Sequence, residues 1–244
     1  MWNFLYRLGS PKVFYRLVDR AQWGLALTAL ICITVGWLWG LGFAPQDYQQ
    51  GDAVRIMYIH VPAAFLSLFI YGIMAFASLL NIVWQIKIAG LLQKSCAQVG
   101  AVFTLLALVT GSLWGKPTWG TWWVWDARLT GELVLFFIYL SLLALEQSLG
   151  LRKVSDKIFA ILCLIGFLDL PIIHYSVQWW NTLHQGTSLL TFAKPKIHSS
   201  MLYPLLFSLV GMLLFSLWVI LKLTQLALVK REYKQQWVKE MVIK

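Results

Sequence analysis

Ala101-Val102-Phe103-Thr104-Leu105-Leu106-Ala107-Leu108-Val109-Thr110 is apolar at nearly every position. A barrel strand alternates apolar with polar residues, so this stretch reads as part of a helix with lipid or other helices on all sides. Outward from it, the apolar run extends from about Cys96 to Trp114, and comparable runs cover Gly24 to Phe43, Met57 to Val83, Leu133 to Leu149, Ile158 to Ile173 and Leu202 to Val229. Each is close to the roughly 20 residues that carry a helix across a bilayer. The composition agrees: 59% of the 244 residues are hydrophobic and 12% charged, half the charged content of a soluble domain, about 25%. A water-soluble globule and a disordered chain are both excluded. The expectation is an all-α polytopic membrane protein, residues 1–244 forming a single domain of six transmembrane helices. The first run begins late and lacks an A-x-A site at its end, which does not fit a cleaved signal peptide.

Lys and Arg give the orientation, because positive loops stay on the cytoplasmic side. Arg7, Lys12, Arg16 and Arg20 precede the first span; Lys87 and Lys94 join spans two and three; Arg152, Lys153 and Lys157 join spans four and five. Six more lie between Lys222 and Lys244, making fifteen on one side against Arg55, Lys116, Arg128, Lys194 and Lys196 on the other. Both termini are therefore expected in the cytoplasm. The net charge of +10 is read as topology and not as nucleic-acid binding, since no basic face or nucleic-acid motif accompanies it. The tail from Lys230 onward reads as a solvated anchor on anionic lipid. Cys32, Cys96 and Cys163 lie in or beside apolar runs without a C-x-x-C pattern, so they read as small buried residues.

This orientation places three loops outside, residues 44–57, 115–132 and 175–201, and all four histidines with them: His60, His174, His184 and His198. Seven of the 14 tryptophans collect there too. An interfacial aromatic belt accounts for Trp2, Trp23, Trp37, Trp39, Trp84, Trp218 and Trp237. It does not account for Trp114-Gly115-Lys116-Pro117-Thr118-Trp119-Gly120-Thr121-Trp122-Trp123-Val124-Trp125, where five tryptophans in twelve residues alternate with Gly and Pro that break a helix. That segment reads as an aromatic platform ending in Asp126 and Arg128.

A flat apolar surface beside cations and imidazoles suits a planar molecule with anionic groups and a metal, and haem fits that description. Indoles stack on the macrocycle, Arg55, Lys116 and Arg128 are available to propionates, and neutral imidazole is a standard axial ligand. Among the histidines, His60 precedes Val61-Pro62 on a rigid element and His184 follows Trp179-Trp180-Asn181-Thr182-Leu183 in an aromatic-rich loop. Either also reads as a hydrogen-bonded structural residue. His174, beside Pro171 and Tyr175 at a helix end, reads as packing or as a support to a ligand, and His198, beside Lys196, as solvated.

These residues carry a resemblance. Trp114 through Asp126 is similar to the tryptophan-rich WWD signature of haem-handling proteins, and nearly the whole chain resembles the CcmC family of cytochrome c maturation. The Met57–Ala64, Leu170–Ser176 and Trp179–Gln185 blocks support it. The resemblance implies non-covalent, b-type haem on the periplasmic side of a bacterial inner membrane. It implies contacts with the tryptophan loop, Trp114, Trp119, Trp122, Trp123 and Trp125, and His60 and His184 as axial iron ligands; from the residues themselves, Arg55 and Arg128 are expected toward the propionates and Asp126 to orient the loop. It further implies work with the ABC-type subunits CcmA and CcmB and the small protein CcmD, and loading of haem onto the chaperone CcmE. No P-loop is present, so any ATP hydrolysis belongs to a partner and the chain reads as a delivery factor, not an enzyme. Three other classes compete. A transporter moving haem through its own bundle, or as the membrane part of an ABC-type complex, would carry intramembrane charge; only Asp169 lies clearly inside a span, where it reads as bonded to a neighbouring helix, with Glu132 and Glu146 near span ends. A purely structural subunit would hold no haem. An electron-transfer cytochrome b would place histidines mid-span, where there are none.

Overall fold

A computed structural model describes residues 10–150, 153–180, 182, 184 and 197–241. Trp2, Arg7, Arg152, Asn181, Leu183, Gln185, Lys194, Lys196 and Lys244 lie outside them. Eight α-helices follow in order: α1 (Pro11–Trp37), α2 (Met57–Val83), α3 (Lys87–Trp119), α4 (Ala127–Leu149), α5 (Lys153–Gly166), α6 (Asp169–Trp179), α7 (Ser199–Arg231) and α8 (Gln236–Met241). Six helical stretches are long and apolar enough to cross a membrane, as expected, with α5 and α6 together making one. No strand occurs among the described residues.

The helices outrun their apolar runs. α1 begins at Pro11 at its N-terminus rather than near Gly24, and α3 at Lys87 rather than at Cys96, because the polar turns at a helix end keep their backbone bonded in the same ladder. A single wide π-type turn, Leu38–Phe43, continues α1, and a 3-10 turn, Asp52–Ile56, leads into α2. The fifth span is broken. Pro171 has no N–H for the Phe167 carbonyl, and Leu170 N–H reaches that carbonyl instead (3.2 Å), so the chain turns at Phe167–Leu168 and restarts at Asp169.

α2 and α3 form the middle of the bundle: half of each apolar window is buried by protein, against 17% for the first span. They enclose Leu66, Ile70, Met74, Cys96, Phe103, Leu135, Tyr139 and Phe159. With lipid outside, apolar burial gives little drive for helices to associate, and close contact and interhelical hydrogen bonds take over. Tyr71 donates to the Cys163 carbonyl (3.0 Å), Tyr139 to the Ser67 carbonyl (2.9 Å), and Thr224 to Ser95 (3.0 Å). α1 lies against α7 so closely that a Cβ on Gly36 would stand 2.5 Å from the Ser208 nitrogen.

The end at which α3 begins holds a buried ionic knot. Arg231 grips the Asp156 carboxylate with both guanidinium nitrogens (2.9 Å each) and Lys94 adds a third contact at 3.0 Å. Gln93 and Asn81 donate to the Asp156 carbonyl. The start of the basic tail is therefore fastened to α5, not merely solvated, and Trp237 packs against Tyr15 and donates to Glu232 (2.8 Å) rather than joining an aromatic belt.

Candidate functional site

The opposite end of the bundle gathers the tryptophan segment with two histidines. The expectation that Gly115 and Pro117 break the helix does not hold: α3 runs through both and stops at Trp119. One proline in the last turn forfeits a single backbone bond, which a long packed helix tolerates. The stop is Gly120, at φ 78°, a left-handed position that favours glycine, from which its N–H bonds the Lys116 carbonyl (3.1 Å). Trp114 and Trp119 thus project from a helix, and only residues 120–126 form a loop.

α4 begins where that loop ends because Asp126 caps it, one carboxylate oxygen accepting from the Leu129 N–H (2.8 Å). The other oxygen accepts from the Thr182 hydroxyl, and the same hydroxyl oxygen accepts the His184 N–H (3.0 Å). One buried carboxylate therefore ties the tryptophan loop to the last connecting segment and brings His184 Nδ1 to 4.0 Å from itself. The Trp119 ring lies against His184, with centroids 5.0 Å apart. Burial and the Arg128 charge, opposed by Asp126, pull the His184 pKa down to about 4, so the imidazole is neutral near pH 7 with a lone pair free.

His60 sits in the first turn of α2. Its Nδ1 is 3.0 Å from the Thr110 hydroxyl, and its ring meets Trp114 edge-on at 5.6 Å. Trp114 is held in turn by Gln50, whose side-chain oxygen accepts its indole N–H (2.8 Å). His60 against Trp114 and His184 against Trp119 thus both pack on the last turns of α3. Two histidines more than 120 residues apart in the chain share one end of the bundle.

The remaining site candidates are placed differently. Trp123 is partly buried with its indole N–H unpartnered among the described residues, while Trp122 and Trp125 are 55% and 76% exposed. Trp125 stands edge-on to Trp123 (5.5 Å), and Lys116 hangs over Trp122 at 5.8 Å. Arg55 is already engaged: it forms an ion pair with Asp52 (2.9 Å) and donates to the Leu41 carbonyl. His174 is exposed beside Tyr175, where packing was expected. His198 does more than meet solvent, since it caps α7 through the Ser200 N–H (3.3 Å). Asp169 Oδ2, expected to bond a neighbouring helix, has no hydrogen-bond partner among the described residues.

Sequence reasoning missed Thr110, Gln50 and Thr182. Thr110 and Gly111 precede Trp114 by four and three residues, so helical spacing puts all three on one face of α3, and that periodicity was the available signal. Nothing local marks Gln50 or Thr182. Among the described residues no three His, Cys, Asp or Glu side chains converge, so the two histidines lack the donor set of a bare-ion site; imidazole donors without a third protein ligand would suit an iron whose other positions a bound group fills.

Comparison with known proteins shows the family. The family model described as CcmC, heme exporter protein C, matches residues 4–239. The heme exporter protein C of Haemophilus influenzae is 48% identical over 239 residues, 98% of this chain and 97% of the relative. That of Escherichia coli K12 is 48% identical over 244 residues, 100% and 98% respectively. A ccmC-like mitochondrial cytochrome c biosynthesis protein of Marchantia polymorpha is 50% identical over 162 residues, 66% and 68% of the two chains.

Proposed function

Because the chain belongs to the heme exporter protein C (CcmC) family, a multi-pass membrane family linked to cytochrome c biogenesis, we propose that it holds haem at the tryptophan end of the bundle for transfer to the chaperone CcmE. His60 and His184 would hold the haem iron. The observation that supports this reading is that two histidines from separate segments, His60 against Trp114 and His184 against Trp119, come to the same end of α3.

Haem supplies the iron and the reactive periphery; the chain supplies position. α2 and its packing hold His60, and the Asp126–Thr182 tie holds His184. Trp119, Trp122, Trp123 and Trp125 offer apolar area to the ring, and the unpartnered Trp123 N–H and the Arg128 guanidinium offer donors to its carboxylates. Arg55, already paired with Asp52, contributes through its remaining donors. Exposure of Trp122 and Trp125 leaves an edge open to a partner. In this reading the termini are cytoplasmic and the site periplasmic, in a bacterial inner membrane, with CcmA, CcmB and CcmD as neighbouring subunits and ATP hydrolysis confined to them. The covalent step belongs to the histidine of CcmE.

Passage of haem through the bundle itself is disfavoured by the middle of the fold, where Leu66, Ile70, Met74 and Tyr139 are fully buried against one another. The test is an absorption spectrum of the purified chain with added haem. Wild type is expected to show the low-spin bis-histidine bands, and His60→Ala or His184→Ala to lose them. Unchanged bands in both variants reject the axial assignment; haem flux across vesicles containing this chain alone rejects the choice of delivery over transport.

A further inference from the structure

The Thr110 hydroxyl has one proton and three groups around it. Its oxygen is 2.6 Å from the Leu106 carbonyl oxygen and 3.0 Å from His60 Nδ1. A carbonyl only accepts, so turning the proton toward the imidazole would leave two lone-pair-bearing oxygens facing each other at the shorter distance. The proton therefore belongs to Leu106, and the hydroxyl oxygen accepts from Nδ1–H. The Ala107 carbonyl, 3.3 Å from the same hydroxyl oxygen, favours the same arrangement because it too can only accept. With Nδ1 protonated, the lone pair is on Nε2. The ring has little room to turn: a Cβ on Gly111 would stand 3.0 Å from His60 Cε1, and Trp114 closes another side at 5.6 Å.

We propose that Thr110 is the positioning residue of the site, fixing the His60 tautomer and ring plane so that Nε2 faces the iron, with Gly111 supplying the space the ring needs. The inference rests on the axial reading above and deepens it. An imidazole whose N–H is held by an acceptor is a more basic ligand, so Thr110 also biases the site toward ferric haem. His184 has a different support, a carboxylate at 4.0 Å rather than a hydroxyl in hydrogen-bond contact, so the two axial ligands differ in how firmly they are oriented.

The experiment compares the purified full-length chain as wild type, Thr110→Val, Thr110→Ser, Gly111→Ala and His60→Ala. Haem affinity is measured by titration and the midpoint potential by spectroelectrochemistry. Valine keeps the shape of threonine and removes the acceptor; haem affinity is expected to fall about 10- to 100-fold, the usual effect of losing an outer-shell partner, and the potential to rise. Serine is expected to restore both. Gly111→Ala keeps the hydroxyl, pushes the ring, and weakens binding, which keeps the test decisive if the valine variant does not accumulate. A hydroxyl that serves only its own helix, bonding a carbonyl one turn back, would leave the potential unmoved. Wild-type affinity and potential in Thr110→Val, or in Gly111→Ala, with bands lost in His60→Ala, overturns the role of Thr110 and leaves the axial reading standing. Bands retained in His60→Ala overturn the axial reading itself, and the proposal with it.

Discussion

Asp126→Ala tests how the site is assembled. The carboxylate does two things at once: it caps α4 through Leu129 N–H at 2.8 Å, and it holds the Thr182 hydroxyl and hence the backbone of His184. Loss of a cap costs about 1 kcal/mol. Loss of a hydrogen bond to a charged, buried group costs about 1.5–3 kcal/mol. Only the second loss bears on where His184 sits, and at about 1.4 kcal/mol per factor of ten it weakens docking of that segment by about 10- to 150-fold. Haem affinity, read by titration of the purified chain, should fall by a similar factor, and the remaining complex should show mixed spin as the His184 side is released. Asp126→Asn retains a capping oxygen and a neutral acceptor, whose bond is worth about 1 kcal/mol, so it should remain within about tenfold of wild type. Wild-type affinity in Asp126→Ala, with His184→Ala inactive in binding, would refute the idea that this carboxylate seats the ligand.

Further outcomes follow from the packing. Asp156→Ala leaves Lys94, 2% exposed, and Arg231 without their shared partner; breaking such a buried set costs about 3–5 kcal/mol, to be seen as a lower melting temperature in detergent with the haem spectrum of surviving protein intact. Gly36→Leu forces α1 away from Ser208, an overpacking of about 1–3 kcal/mol, measurable as easier proteolysis of the N-terminal helix. Gly120→Ala strains the left-handed stop of α3 at φ 78° by about 1–2 kcal/mol and should weaken haem binding by shifting the loop that follows, whereas Gly42→Ala, where an added Cβ meets open space, should do neither.

Much of the architecture is legible along the chain. Runs such as Ala101–Thr110 have no polar face, and a segment that cannot satisfy its backbone in lipid except as a helix declares its own structure. The clustering of Trp114 to Trp125 and the segregation of all histidines to alternate loops likewise marked one end of the bundle. Helix ends were less legible, because hydropathy reports where lipid lies and not where the hydrogen-bond ladder stops: α3 passes through Pro117, and the fifth span breaks before Pro171. Neither proline differs locally in a way that foretells the outcome; position within the helix decided it.

Residue type and spacing along the chain determined the six crossings, the aromatic segment and the pair of imidazoles worth considering, since each depends only on side-chain chemistry and periodicity. Tertiary structure alone decided that Asp126 meets Thr182, that Thr110 meets His60, that Trp119 meets His184, and that Arg231 locks onto Asp156. These are contacts between residues tens to hundreds of positions apart, set by how helices cross at close range, and no local pattern encodes which buried donor will find which acceptor.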